Sequence, residues 1–232
     1  MANLIPCSDR FSYTALERID TPNGRRYVLP DGVQVPSVTT ILDRTKDKSH
    51  LKAWADRVGH DQAEKIKNEA AYVGTNMHLV MEKVLANEPL PLAQDWLAMR
   101  GYEMGFRLIN TYFKHLSVSY GSEVGLYYPK RYAGTTDLVA EYRGKLAIVD
   151  FKQSVRPKRH EHITDYFHQL AAYAVAHDQM HGTNIDFAAV LISVQDGTTQ
   201  EFTTTGPEFE NYKDQWMKRL SLAQAAVPVS QP

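Results

Sequence analysis

The chain is 232 residues long, 43% hydrophobic, 23% charged and 10% aromatic, with a formal net charge of −1 at pH 7. That composition excludes a disordered, collagen-like or rod-shaped coiled-coil protein, and no run of about 18 apolar residues offers a membrane span. Proteins that coat nucleic acid non-specifically are strongly basic, so any phosphate contact here has to come from a local groove.

The single Cys7 excludes a disulfide framework, a cysteine-based zinc site and a four-thiolate iron–sulfur cluster within one chain. The opening MANLIPCSDRF lacks a basic-then-apolar signal, and Asp9, Glu17 and Asp20 argue against a transit peptide, so a cytoplasmic location is expected.

Residues 1–40 mix β-formers with turn residues. RRYVL–PDG–VQVP reads as a hairpin turning at Pro30-Asp31-Gly32, and Ser37 stands where its hydroxyl would cap a helix beginning SVTTIL. Residues 50–116 read as helical almost throughout. LKAWADRVGHDQAEKIKNEAAYV, TNMHLVMEKVLA and AQDWLAMRGYEMGFRLINTYFKHL carry apolar residues at three- and four-residue spacing, and Pro89 and Pro91 part the second from the third. The pattern then changes to the short β-rich segments SEVGLYYP, TTDLVAEY and KLAIVDFK. A helix over about 163–181, a strand in IDFAAVLISVQ, a turn at Asp196-Gly197, the strand TTQEFTT and a final helix from Pro207 follow. The expected fold is α/β: one domain over residues 1–226, with a mixed sheet of four to five strands in about 120–205 flanked by helices. A helical subregion over 50–116 precedes the sheet, and residues 227–232 form a frayed tail.

GTTDLVAEY–RG–KLAIVDFK is the sharpest chemical signal. If Arg143-Gly144 form a two-residue loop, Tyr142 faces Lys145, and counting outward puts Asp137 opposite Asp150, with Lys152 on the same face. Opposed carboxylates about 5 Å apart destabilise a sheet unless one takes up a proton or a cation sits between them. Hard oxygen ligands suit Mg²⁺ or Mn²⁺, and an adjacent ammonium suits a phosphodiester oxyanion or an attacking water. The alternative is a strand-end Asp in solvent, with Lys152 paired to Asp150. His78 and Glu82 lie one helical turn apart, Glu123 opens the strand before the hairpin, and Gln169 and Tyr173 are four apart on the next helix. His177 and His181 share that spacing, which could bind zinc but reads as a surface pair at a helix end. Lys152, Arg156, Lys158 and Arg159 form a basic stretch, either a phosphate contact or a solvated loop.

GxxxH (Gly74–His78), Gly-x-x-Asp (Gly134–Asp137), Asp-Phe-Lys (Asp150–Lys152) and QxxxY (Gln169–Tyr173) occur in order, and together they resemble the RecB-type branch of the PD-(D/E)XK nucleases. PSVTTIL followed by LKAWADRVG is similar to the mitochondrial genome maintenance exonucleases and their small phage relatives. The resemblance runs from about Val35 to Tyr173. It implies a restriction-endonuclease-like core and a metal-dependent DNA exonuclease. His78, Asp137, Asp150 and the Phe151 carbonyl would ligate Mg²⁺, which Mn²⁺ would replace. Lys152 would position the water, and Glu123 would aid a second metal or the water network. Gln169 and Tyr173 would steady the Asp-Phe-Lys strand and contact DNA, while Ser37, Thr39, Arg156, Lys158 and Arg159 would touch phosphates. One departure is Asp150, where the motif's central residue is commonly Glu. The single cysteine sets the chain apart from relatives that carry an iron–sulfur cluster.

Under this reading the substrate is DNA, single-stranded or with accessible ends, and one strand threads an arch formed by residues 50–116. Trp54, Tyr72, Tyr102 and Phe106 are stacking candidates, although core packing is expected for most of them. A monomer without a membrane is expected, in the cytoplasm of a bacterium or a phage-infected host. It would act in DNA recombination, repair or degradation, with replication or recombination proteins as possible partners. The rival readings are an endonuclease of the same fold and a non-catalytic DNA-binding module.

Overall fold

The computed structural model of the chain describes residues 5–225, without the side chain of His50; the tail expected to fray lies outside them. The N-terminal β-formers build a small antiparallel sheet of β1 (Glu17–Thr21), β2 (Gly24–Val28) and β3 (Gln34–Pro36). The anticipated turn joins β2 to β3, where the Leu29 N–H donates to the Val33 carbonyl at 2.9 Å. Ser37 then starts α1 (Val38–Arg44), its hydroxyl accepting the Thr40 N–H at 3.0 Å.

Three helices follow: α2 (Ser49–Val58), α3 (His60–Leu85) and α4 (Trp96–Tyr112). The first helical run breaks at Gly59, whose φ of 91° is a conformation that L side chains avoid, whereas α3 passes straight through Gly74. Helix α4 lies against α3 along Gly101 and Gly105. A Cβ on Gly101 would sit 2.6 Å from the Val73 carbonyl oxygen, and one on Gly105 would sit 2.9 Å from Val80 Cβ.

The main sheet runs in the order β4 (Leu116–Tyr128), β5 (Tyr132–Tyr142), β6 (Lys145–Ser154), β7 (Phe187–Val194), β8 (Thr199–Thr205). Neighbours are antiparallel except β6 and β7, whose parallel pairing needs a crossover, here α5 (Thr164–His181). Helix α6 (Gly206–Ala225) follows β8. Arg143 and Gly144, at φ 51° and 76°, form the tight two-residue hairpin turn, so the register runs from Tyr142↔Lys145 to Leu138↔Val149 as expected.

Alternate side chains feed two cores. Ile148 with Val190 and Ile192 packs beneath α1, α5 and α6, while Ala147, Val149 and Phe151 with Leu191 pack against α3 and α4. All eight residues of β7 are buried, as a strand covered on both faces requires. Of the helical subregion, α4 and the C-terminal half of α3 form a layer on the sheet; α2 and the first turns of α3, mostly exposed, project beyond it. No helix among the described residues is long and apolar enough to cross a membrane.

Ahead of β1, Phe11 and Tyr13 pack on His177 with ring centroids 4.7 and 5.9 Å away. The Thr183 hydroxyl donates to Asp178 Oδ1 at 2.7 Å, so His177 Nδ1–H donates to Thr183 at 2.8 Å and His177 Nε2 accepts from the Tyr13 hydroxyl at 3.0 Å. His177 is fully buried with both ring nitrogens engaged, which corrects the reading of His177-x₃-His181 as a surface pair and leaves it no lone pair for zinc.

Two outcomes are expected. In an open helix Gly→Ala gains up to about 1 kcal/mol; Gly101→Ala should instead lower stability by about 1–3 kcal/mol in urea denaturation, because the seam has no room for a methyl. A gain would mean that α3 and α4 do not touch there. Burial, then the charges of His181 and Arg10, lower His177 from 6.5 to about 3. The unfolded chain therefore binds a proton first as pH falls, so the stability His177 contributes is complete above about pH 6.5 and is lost toward pH 3. Between pH 7 and 4 the melting temperature should fall more steeply for the native chain than for His177→Gln. Equal slopes would place the acid sensitivity elsewhere.

Candidate active site

The β5–β6 ladder ends at Leu138↔Val149, one pair short of the opposition expected between Asp137 and Asp150. Asp137 Oδ2 instead accepts the Phe151 N–H at 2.7 Å. Strand β6 stays paired to β7 as far as Ser154, and β5 to β4 as far as Tyr132, so the two central strands part at this point. The carboxylates take separate partners. Asp150 Oδ2 lies 2.5 Å from Lys152 Nζ, and its Oδ1 accepts from Gln169 Nε2 at 3.4 Å.

Asp137 shares its side of the split with two other groups. His78 Nδ1 lies 3.6 Å from Asp137 Oδ2 and 3.7 Å from Glu123 Oε1. One donor atom from each of the three lies within 4.8 Å of the others, a spacing and a nitrogen–oxygen donor set that fit a divalent cation. Asp150, expected as a ligand beside Asp137, is held in its ion pair, and Phe151 meets the trio through its N–H. Glu123 sits within β4 rather than opening it, just past a register shift between Ser119 and Gly121, with its backbone left-handed at φ 52°. The pairing is unbroken on either side of it, Ser122↔Leu138 and Val124↔Thr136, which sets Glu123 opposite Asp137.

Without a cation the charged groups shift one another. Burial opposes a charge on His78, but Asp137, Glu123 and Asp150 outweigh it and raise the ring to about 9, so it is protonated at neutral pH. Burial, reinforced by Asp137, raises the Asp150 carboxyl against the pull of Lys152 and His78. Burial alone would lower Lys152, and its acidic neighbours, led by Asp150, hold it raised. A cation bound at His78 has to displace that proton.

The trio lines a cavity of about 660 Å³ walled by α3, the N-terminal hairpin, β4, β5 and α5. Gln169, Tyr173, Ser37 and Thr39 also border it, as the sequence suggested. Their roles differ. Tyr173 is 2% exposed and packs on Gly134, where a Cβ would lie 2.8 Å from its ring. Ser37 is 1% exposed and its hydroxyl serves the helix cap, whereas Thr39 is exposed. Arg156, Lys158 and Arg159 are not in this cavity; they lie on the β6–α5 loop, with Arg159 3.8 Å from Glu161. Tyr72 and Phe106 are exposed, Trp54 and Tyr102 half-buried, and none of the four joins a core cluster, which corrects the packing role expected for most of them. Arg18, Arg25 and Tyr27 of the N-terminal hairpin line the cavity and were not anticipated: ERIDT, which carries Arg18, is too short and charged to read as a strand, and the expected strand RRYVL does not show what its side chains face; Asp20 holds the two arginines at 2.7 and 3.4 Å.

Residues 10–231 match the PD-(D/E)XK nuclease superfamily. The chain is 27% identical over 222 residues to mitochondrial genome maintenance exonuclease 1 of Homo sapiens, covering 88% of this chain and 64% of that protein. It is 29% identical over 182 residues to the Xenopus tropicalis protein of the same name, covering 71% and 50%. It thus spans about half to two thirds of these relatives' length. The backbone resembles the crystal structure of SSO0001 with a TM-score of 0.43 at 13% identity, over 83% of this chain and 77% of that one.

Glu123 allows the cost of the site to be separated from its use. A left-handed non-glycine residue costs about 1 kcal/mol, so Glu123→Gly should raise stability to urea by about that much in EDTA while weakening Mn²⁺ binding measured by calorimetry. Tighter or unchanged Mn²⁺ binding would remove Glu123 from the ligand set.

Proposed function

Since the chain belongs to the PD-(D/E)XK nuclease superfamily, we propose that it is a divalent-metal-dependent DNA exonuclease that hydrolyses phosphodiester bonds from the ends of a single strand passed beneath α2 and α3. The observation that carries this reading is the trio His78, Glu123 and Asp137 set beside the buried Asp150–Lys152 pair. The trio would hold Mg²⁺, with Asp150 as a further ligand once the cation competes for it. When bound, the metal supplies Lewis-acid polarisation of the phosphate and a water of lowered pKa.

The remaining steps belong to the chain's own groups. Lys152, held at one end by Asp150, orients the attacking water and donates to the phosphate oxygen on which charge gathers. Gln169 keeps the Asp150 carboxylate turned toward Lys152. The Phe151 N–H fixes one oxygen of Asp137, leaving the other free. Arg18, Arg25 and Thr39 stand at the cavity wall where flanking phosphates would pass, and the exposed rings of Tyr72 and Phe106 offer stacking surfaces outside it. Against a non-catalytic module stands the retention of His78, Asp137, Asp150 and Lys152 together.

The test uses one single-stranded DNA in linear and covalently circular form, each with Mg²⁺ and with EDTA. Loss of the linear form alone, and only with Mg²⁺, is the expected result. Cutting of the circle would turn the reading to an endonuclease of the same fold. Failure to cut either form, or a linear duplex, would overturn it.

A further inference from the structure

A second cavity of about 660 Å³ lies one helical turn along α5 from the first. Tyr166, Gln169 and Tyr173 follow at three- and four-residue spacing on one face of that helix. Gln169 and Tyr173 border the first cavity and Tyr166 borders the second. Between them stand Asp150, bonded to Gln169, and Lys152, whose ammonium lies 5.3 Å from the Tyr166 ring centroid. The two cavities share no lining residue but meet along α5, with Lys46 and Leu51 lining the second where α3 lines the first.

Its lining suits a phosphate with a base attached. Lys46, Lys158, His162 and Thr164 supply donors, and Tyr166 supplies an aromatic face. Two carboxylates share the wall. Asp165 is already bound by Arg219 at 2.6 Å and Lys46 at 3.1 Å, and His168, followed by those two cations, holds it well below the usual carboxylate range against the effect of burial. Glu161 is exposed, 3.8 Å from both Arg159 and His162. Lys158 has no ion pair among the described residues, yet its backbone is fixed: its N–H donates to Gln200 Oε1 at 2.7 Å, and its carbonyl accepts from Gln200 Nε2 at 2.9 Å. A free ammonium on a pinned stretch of loop is ready to meet an anion without ordering cost to the backbone.

We infer that this second cavity is a nucleotide subsite, in which Lys158 and Lys46 grip the phosphate and Tyr166 supports the base of the nucleotide beyond Lys152. The inference rests on the nuclease reading and extends it: the strand occupies both cavities and crosses the Asp150–Lys152 pair between them. The phosphate is either the strand's terminal one or an internal diester, and the two differ in what they require of the DNA end.

Fluorescence anisotropy in EDTA, with a labelled single-stranded oligonucleotide carrying or lacking a 5′-phosphate, reads this directly. Lys158→Ala should weaken binding about fivefold and flatten the slope of log affinity against log salt by about 0.7, the loss of one phosphate contact on a single strand. Lys46→Ala should add to it, and Lys158→Gln repeats the loss should the alanine variant fold poorly. Lys114→Ala, on the exposed surface after α4, controls for net charge. A loss confined to the 5′-phosphorylated oligonucleotide assigns the cavity to the terminal phosphate, and an equal loss for both assigns it to an internal one. Lysine variants that bind like Lys114→Ala would overturn the subsite while leaving the nuclease reading intact. A native chain that neither binds nor cuts DNA would overturn both.

Discussion

The hydrogen bond from the Phe151 N–H to the Asp137 carboxylate governs the architecture of the site. In a regular hairpin that amide would pair with the neighbouring strand. Here a side chain from that strand takes it, so the ladder stops and the strands separate while the Phe151 amide keeps a partner. Charge assistance makes such a bond stronger than the ladder bond it replaces. The outer pairings, β5 with β4 and β6 with β7, keep the opening from unravelling the sheet. Groups from both covering layers can then meet: His78 descends from α3 and Gln169 from α5, which an unbroken sheet would keep apart.

Two close backbone approaches set the height of those helices. Gly101 and Gly105 let α4 press α3 onto the sheet, and Gly134 gives the Tyr173 ring its seat, fixing α5 next to the strand that carries Asp137. The resulting cluster is acidic and partly buried, which would be costly as it stands. A protonated His78 and the Lys152 ammonium offset part of that cost, so the fold tolerates the cluster as it stands.

Much of this was legible in the residues. The period of the β-rich segments and the Arg143-Gly144 turn specify the hairpin register, because a two-residue loop leaves one pairing. The ordered Gly-x-x-Asp, Asp-Phe-Lys and Gln-x-x-x-Tyr motifs pointed to the side chains that meet. What escaped depends on three dimensions. Nothing in a one-dimensional pattern announces that a ladder ends because a side chain replaces an amide's partner, so Asp137 and Asp150 were placed face to face. Glu123 was placed at a strand start because nothing in LSVSYG announces that β4 already begins at Leu116. His177 was read as a surface residue because the segment that buries it, Phe11 and Tyr13, is more than 160 residues away, with Tyr13 and His177 separated by 164. Arg18 and Arg25 were passed over because the hairpin carrying them reaches the cavity only through tertiary packing.

The irregular course of β4 has another consequence. This strand is one of the two edges of the sheet, where a straight run of unpaired amides would invite a strand from another molecule. Its register slips twice, between Leu116 and Val118 and between Ser119 and Gly121, and its backbone is left-handed at Glu123. Pro6 and Ser8 occupy the amide and carbonyl of Ser119, with bonds of 2.8 and 2.9 Å. These slips and the left-handed backbone at Glu123 together spoil the edge as a template for intermolecular β-pairing, so the strand that carries one carboxylate of the site also resists a foreign partner.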